Sequence, residues 1–115
     1  MSTSATIHFQ YGPDIAPEAI IYLHYDGYPN AVLPDLGRFF RAVQAQTDDT
    51  RFNDPAYLAA KFVVWQASEF TKDKPNLDFT GIGIISDDQY DIDYRYHVIS
   101  QPSHKQFPKV TVEQV

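Results

Sequence analysis

The sequence predicts an α+β domain, an antiparallel sheet of about five strands with two helices packed on one face, in the order ββααβββ. Residues 5–11 and 19–25 alternate or are rich in β-branched and aromatic side chains, and a short turn separates them. Residues 33–43 and 55–70 repeat apolar side chains every three or four positions, as amphipathic helices do. Residues 82–85, 90–99 and 110–112 return to strand patterns. At 115 residues the chain is a single domain, 1–115, too short for two separately packed cores.

Ala5, Ile7, Phe9 and Tyr11 alternate with Thr6, His8 and Gln10, which reads as a half-buried strand ended by Gly12-Pro13-Asp14. In the next run Ile21, Leu23 and Tyr25 share one face and Ile20, Tyr22 and His24 the other, so a hairpin is the natural pairing. Asp26-Gly27-Tyr28-Pro29-Asn30 breaks the pattern: Gly27 accepts a positive φ, and Pro29 holds Tyr28 out of the helical region. Leu33, Leu36, Phe40 and Val43 then form one helical stripe, widened by Phe39, with Pro34 expected in the first turn, where it costs no hydrogen bond. Thr47-Asp48-Asp49-Thr50 ends that helix.

Asp54-Pro55 is a second helix start, an N-cap side chain followed by proline at the first helical position. The run carries Ala59, Phe62, Val63 and Phe70 on one side, with Leu58 and Trp65 flanking, and Thr71 to Asn76 is expected to be a loop. Gly81 to Ile85 is a short apolar strand, and a turn at Ser86 to Gln89 leads into a long alternating one. There Tyr90, Ile92, Tyr94, Tyr96 and Val98 share the inner face, and Asp91, Asp93, Arg95, His97 and Ile99 share the other. After a loop at Gln101 to Pro108, Val110 and Val112 make a last strand, and the far face of the sheet is expected to be uncovered.

Hydrophobic residues make up 43% of the chain and charged ones 21%, which is the balance of a globular domain and not of a disordered one. With no cysteine, disulfide scaffolds, thiolate nucleophiles, iron–sulfur clusters and cysteine-bound zinc are excluded together. Nine basic against fifteen acidic side chains give a formal charge of -6, which opposes attraction to phosphate backbones and anionic lipids. Neither nucleic acid nor a membrane is expected as a direct partner. Met1 to Thr6 has no basic or apolar leader character, so a soluble, intracellular protein is expected.

On the uncovered face the parity of the strands collects His8, Tyr22, His24, Asp93, Arg95 and His97. Three imidazoles and a carboxylate could ligate zinc or iron if the strands are adjacent, but no metal-binding spacing is present, and a wet or partner-covered face is the plainer expectation. His24 and Asp26 suit general acid–base chemistry if the strand runs through both; otherwise Asp26 is a turn residue bonding the Gly27 or Tyr28 N–H. No serine has a nucleophile-elbow context, and Gly81-x-Gly83 lacks the third glycine of a dinucleotide fingerprint. Tyr94 and Tyr96 could stack on bases, but Asp91 and Asp93 just before them, in a local cluster with Asp87 and Asp88, argue for a solvated acidic face.

Tyr22-Leu23-His24-Tyr25-Asp26-Gly27-Tyr28-Pro29 resembles the Tyr-Arg-His-x-Asp-Gly-Tyr-Pro motif of a family of small uncharacterised proteins of bacteriophages and their actinobacterial hosts. Ser2 to Phe9, Asp54-Pro55-Ala56-Tyr57-Leu58-Ala59-Ala60-Lys61 and Asp91-Ile92-Asp93-Tyr94-Arg95-Tyr96 are similar to further segments of that family, so the likeness spans most of the chain. Where the family more often has a basic residue this chain has Ser4 and Leu23, so no basic contact carries over there. The resemblance implies a phage-related protein in the cytoplasm of a bacterial host, and no reaction.

The resulting expectation is a non-enzymatic, acidic protein-interaction module, a phage accessory or host-defence-modulating protein without cofactor or metal. Its binding residues would be Tyr22, His24, Tyr25, Asp26, Tyr28, Asp93 and Arg95, and the uncovered face could also pair two copies as a homodimer. The alternative is a small hydrolase or nucleotide-binding protein using His24, Asp26 and His97.

Overall fold

A computed structural model of the chain describes residues 3–71, 77, 81–87 and 91–115. The elements are β1 (Ala5–Gln10), β2 (Ala19–Leu23), α1 (Pro29–Gln46), α2 (Pro55–Thr71), β3 (Ile82–Ile85), β4 (Tyr94–Ile99) and β5 (Lys109–Gln114). This is the α+β order ββααβββ, with one five-stranded sheet in the spatial order β3-β2-β1-β4-β5 and both helices on one face. No helix among the described residues is long and apolar enough to cross a membrane.

The sheet is mixed, where an antiparallel one was expected. β1 and β2 form the antiparallel hairpin, Ala5 opposite Leu23 and Phe9 opposite Ala19. β1 and β4, however, run parallel, with Ala5 beside Tyr94 and Gln10 beside Ile99. Alternation of side chains reports which face a residue occupies and is blind to the direction of the neighbouring strand, so the parallel pair left no mark on the pattern. β3 and β5 are the edges, pairing antiparallel with β2 and β4.

Helix α1 begins at Pro29, earlier than its apolar spacing suggested. Tyr28 is extended (φ -74°, ψ 154°), as the residue before a proline must be, and its carbonyl accepts from the Ala31 and Val32 N–H groups at 3.0 and 3.1 Å. Pro34 therefore lies in the second turn, inside the helix, and Val32 instead of Leu33 faces the core beside Leu36, Phe39, Phe40 and Val43. Helix α2 starts as expected: the Asp54 carbonyl accepts from Leu58 N at 2.9 Å, and its carboxylate lies 3.4 Å from Tyr57 N. Leu58, Ala59 and Phe62 are buried, Val63 and Trp65 pack against them, and Phe70, expected on the inner side, is 69% exposed.

The core is aromatic. Phe62 meets Phe39 edge-on at 5.3 Å between ring centroids and lies 6.0 Å from Phe9, which joins α2, α1 and β1. Phe40, Phe52 and Phe107 form a second cluster, with centroids 5.3 to 6.0 Å apart. Ile7, Phe9, Ile21, Leu23, Tyr96 and Val98 supply the sheet's side of this layer, on the faces their alternation assigned.

Several strands are shorter than their patterns. β1 stops at Gln10 and β2 at Leu23, so Tyr11 and Tyr25 are exposed and not on the inner face. β4 starts at Tyr94; Ile92 is buried but stands outside the main core cluster, and Tyr90 lies outside the described residues. Most of the expected loop at 71–76 and the second half of the turn at 86–89, with Asp88, also lie outside them. The far sheet face is not bare either, because Thr6, Gln10 and Ile20, which point to it, are all buried.

Candidate functional site

The residues singled out in the sequence divide between two places on the sheet. One is the end of β2 and the turn that follows it. The Tyr22 hydroxyl is 2.8 Å from His24 Nδ1, and the His24 ring meets Tyr25 edge-on at 4.5 Å. Asp26 has left the strand with φ 55°, a left-handed conformation that costs an aspartate little. Among the described residues its side chain makes neither the expected bond to the Gly27 N–H nor the one to the Tyr28 N–H, and the Gly27 N–H donates instead to the Thr3 carbonyl at 2.8 Å.

Gly27 is needed for closeness and not for a positive φ. A Cβ placed there would lie 2.8 Å from Ala5 Cβ and 2.9 Å from both the Ser4 carbonyl carbon and the Thr3 oxygen. Its carbonyl in turn accepts a 2.7 Å hydrogen bond from the buried Tyr96 hydroxyl. The backbone of the turn is thus anchored on both sides, while Tyr25 and Tyr28 are 58% and 42% exposed.

The second place is the β4–β5 side. His97 sits beside His8 across the parallel pair, their rings 5.2 Å apart. Gln10 Nε2 donates to the Gly12 and Pro13 carbonyls at 2.7 and 3.2 Å, which turns Gln10 Oε1 toward His97 Nδ1 at 2.8 Å. His97 Nε2 faces Glu113 Oε1, also at 2.8 Å. Both ring nitrogens thus face oxygens of neighbouring side chains. Arg95 adds a 3.2 Å hydrogen bond to the same Glu113 oxygen, and these donors hold the Glu113 carboxyl below the usual carboxylate range, His97 contributing most. Asp93 serves the fold: its carboxylate accepts from Ser4 N at 3.1 Å and its own N–H donates to the Ser4 carbonyl at 2.9 Å, which aligns β4 on β1.

His24, Asp26 and His97 do not meet. His97 is level with His8 and, through it, with Ile20, four residues before His24. At ordinary strand spacings the two imidazoles are separated by roughly 13 Å along the strands and about 10 Å across them. Among the described residues no group of three histidine, aspartate or glutamate side chains is disposed to hold a metal ion.

Next to the first place is a cavity of about 460 Å³ between the helices and the sheet, lined by the end of β2 and its turn (Leu23, Tyr25, Asp26), α1 (Val32, Asp35, Leu36), α2 (Phe62, Gln66, Phe70) and the start of β3 (Gly81, Ile82). Gln66, only 6% exposed, has no hydrogen-bond partner among the described residues. Gln66 was missed in the sequence, although its signal is there: it is the polar interruption in the stripe Leu58, Ala59, Phe62, Phe70. Glu113 was missed because its role depends on the β4–β5 register, Arg95 opposite Glu113.

Compared with family models, with curated proteins and with solved structures, the chain matches none.

Proposed function

We propose that this protein is a non-enzymatic interaction module which presents Tyr22, His24, Tyr25, Asp26 and Tyr28 to another protein. The observation that carries this is the combination at the turn after β2 of a fixed backbone and outward aromatics. Gly27 is clamped by Thr3 and Tyr96, yet Tyr25 and Tyr28 on either side stand in solvent. A docking surface gains from such an arrangement, because tyrosine offers large contact area with a polar tip and a prefixed loop loses little entropy on binding. The formal charge of -6 favours a basic partner. A phage or host-defence context in a bacterial cytoplasm rests only on the resemblance carried by Tyr22–Pro29 and the further similar segments. The hydrolase or nucleotide-binding alternative stands second, since His24 and His97 share no site.

The test is capture of partners from a bacterial host lysate by the wild-type chain and by a Tyr25→Ser/Tyr28→Ser double variant, followed by titration of the purified partner. A basic protein bound by the wild type and lost by the double variant, with an unchanged melting temperature, supports the module. Equal binding by both forms, or no saturable partner, overturns it.

A further inference from the structure

We propose that the cavity lined by Tyr25, Asp26 and Gln66 binds a small organic ammonium compound, one primary or secondary amine on an apolar, ring-bearing body. Its volume of about 460 Å³ falls in the range of small-molecule sites. Leu23, Leu36, Phe62 and Ile82 give it apolar walls suited to a ring. Gln66 supplies what a hydrophobic void lacks, an amide that is nine-tenths buried and unpartnered among the described residues, with two donors and one acceptor to fix a ligand's orientation. A site with such a group discriminates strongly, because a ligand that cannot bond the amide leaves it unpaired.

The preference for a cation comes from the two carboxylates at the cavity. Asp35 is engaged by Arg38 one turn along α1. Asp26 has no ion pair or side-chain hydrogen bond among the described residues, and it stands where its left-handed backbone puts it, beside Tyr25 on the lining. Among the described residues the uncompensated charge at the cavity is therefore negative, which attracts an ammonium group and repels an acid. This goes beyond the docking reading, and Gln66 is not among the docking residues, so the two fail separately.

The test is a titration of the ¹⁵N-labelled full chain with tryptamine, with tryptophol and indole-3-acetate as neutral and anionic versions of the same ring. Tryptamine is expected to shift the Gln66 side-chain amide and the backbone signals of Asp26 and Gly81 saturably, with tryptophol weaker and indole-3-acetate weakest. Gln66→Leu should weaken tryptamine binding about tenfold or more. Asp26→Asn, at an exposed position that leaves the fold intact, should abolish the preference for the amine over the alcohol. No saturation by tryptamine up to about 10 mM, the weak limit of a specific site, would overturn the proposal. So would shifts confined to other residues, equal binding of the acid, or an unaltered affinity in Gln66→Leu.

Discussion

The Tyr96 hydroxyl, inside the core on β4, donates a 2.7 Å hydrogen bond to the carbonyl of Gly27, 69 residues earlier. One central strand thereby holds the exposed turn that carries Tyr25, Asp26 and Tyr28. Burial, and to a lesser degree the neighbouring Tyr94, raises the pKa of the Tyr96 phenol far above that of a free tyrosine.

That shift has a sign in the stability curve. The unfolded chain begins to lose the Tyr96 proton near the usual value of about 10, while the folded chain keeps it, so above that point folding must bind a proton and stability falls as pH rises. Below it the contribution is complete. Tyr96→Phe should cost about 1–3 kcal/mol at neutral pH, because the Gly27 carbonyl loses its donor, and urea midpoints followed above pH 10 should decline less steeply than in the wild type. A Tyr96→Phe protein with an unchanged alkaline limb would assign that loss to other tyrosines.

Gly27→Ala is expected to destabilise the fold by at least about 2 kcal/mol, since backbone atoms of Thr3 and Ser4 occupy the space a Cβ needs. Gly37→Ala, in the middle of α1, should be neutral or stabilise by up to about 1 kcal/mol. The nearest atom to its new Cβ is the Arg41 guanidinium at 3.3 Å, at the end of an exposed, flexible side chain. Opposite signs in chemical denaturation check both at once.

Phe40→Ala and Phe62→Ala should each cost about 3–5 kcal/mol, the range for truncating a buried aromatic. Phe62 touches Phe9 and Phe40 joins Phe52 and Phe107, but both rings lie against Phe39, so the loss in the double variant should depart from the sum of the two. Thermal and urea unfolding of the three proteins measure this. A loss below about 1 kcal/mol for either would contradict its burial.

Glu113 is held below the ordinary carboxylate range first by His97 and then by Arg95. A depressed folded pKa stabilises above the unfolded value and is lost as pH falls through the folded one. Following the Glu113 carboxyl by ¹³C NMR, its midpoint should rise toward the usual carboxylate value in His97→Ala, and by less in Arg95→Ala. The stability change should be small, since the side chain is half exposed.

The alternation Ala5-Thr6-Ile7-His8-Phe9 stated both the strand and its buried face, because one side of the sheet is packed and the period of a strand is two. Asp54-Pro55 stated a helix start for an equally local reason. The beginning of α1 was harder: Val32 and Leu33 are both apolar, and only the position of the stripe relative to Pro29 decides which is buried. What depends on distant chain was not legible at all. The parallel register of β1 and β4, the approach of Thr3 and Ser4 to Gly27, and the cavity around Gln66 are each made by segments far apart in sequence. Among the candidate residues, face parity placed Tyr22, Arg95 and His97 correctly, but it could not tell that Asp93 is spent on Ser4 or that His24 and His97 stand apart.

The sheet order also governs when the fold can form. β1 is the middle strand, with one neighbour, β2, supplied within the next few residues and the other, β4, only near the end of the chain. A nascent chain that has emerged to residue 93 can close the hairpin and both helices, yet one side of β1 still has no partner. Closing that side means bringing together segments about 89 positions apart, as the pairing of Ala5 with Tyr94 requires. Completion of the core therefore waits for this long-range pairing, and until β4 arrives the unpaired edge of β1 needs protection.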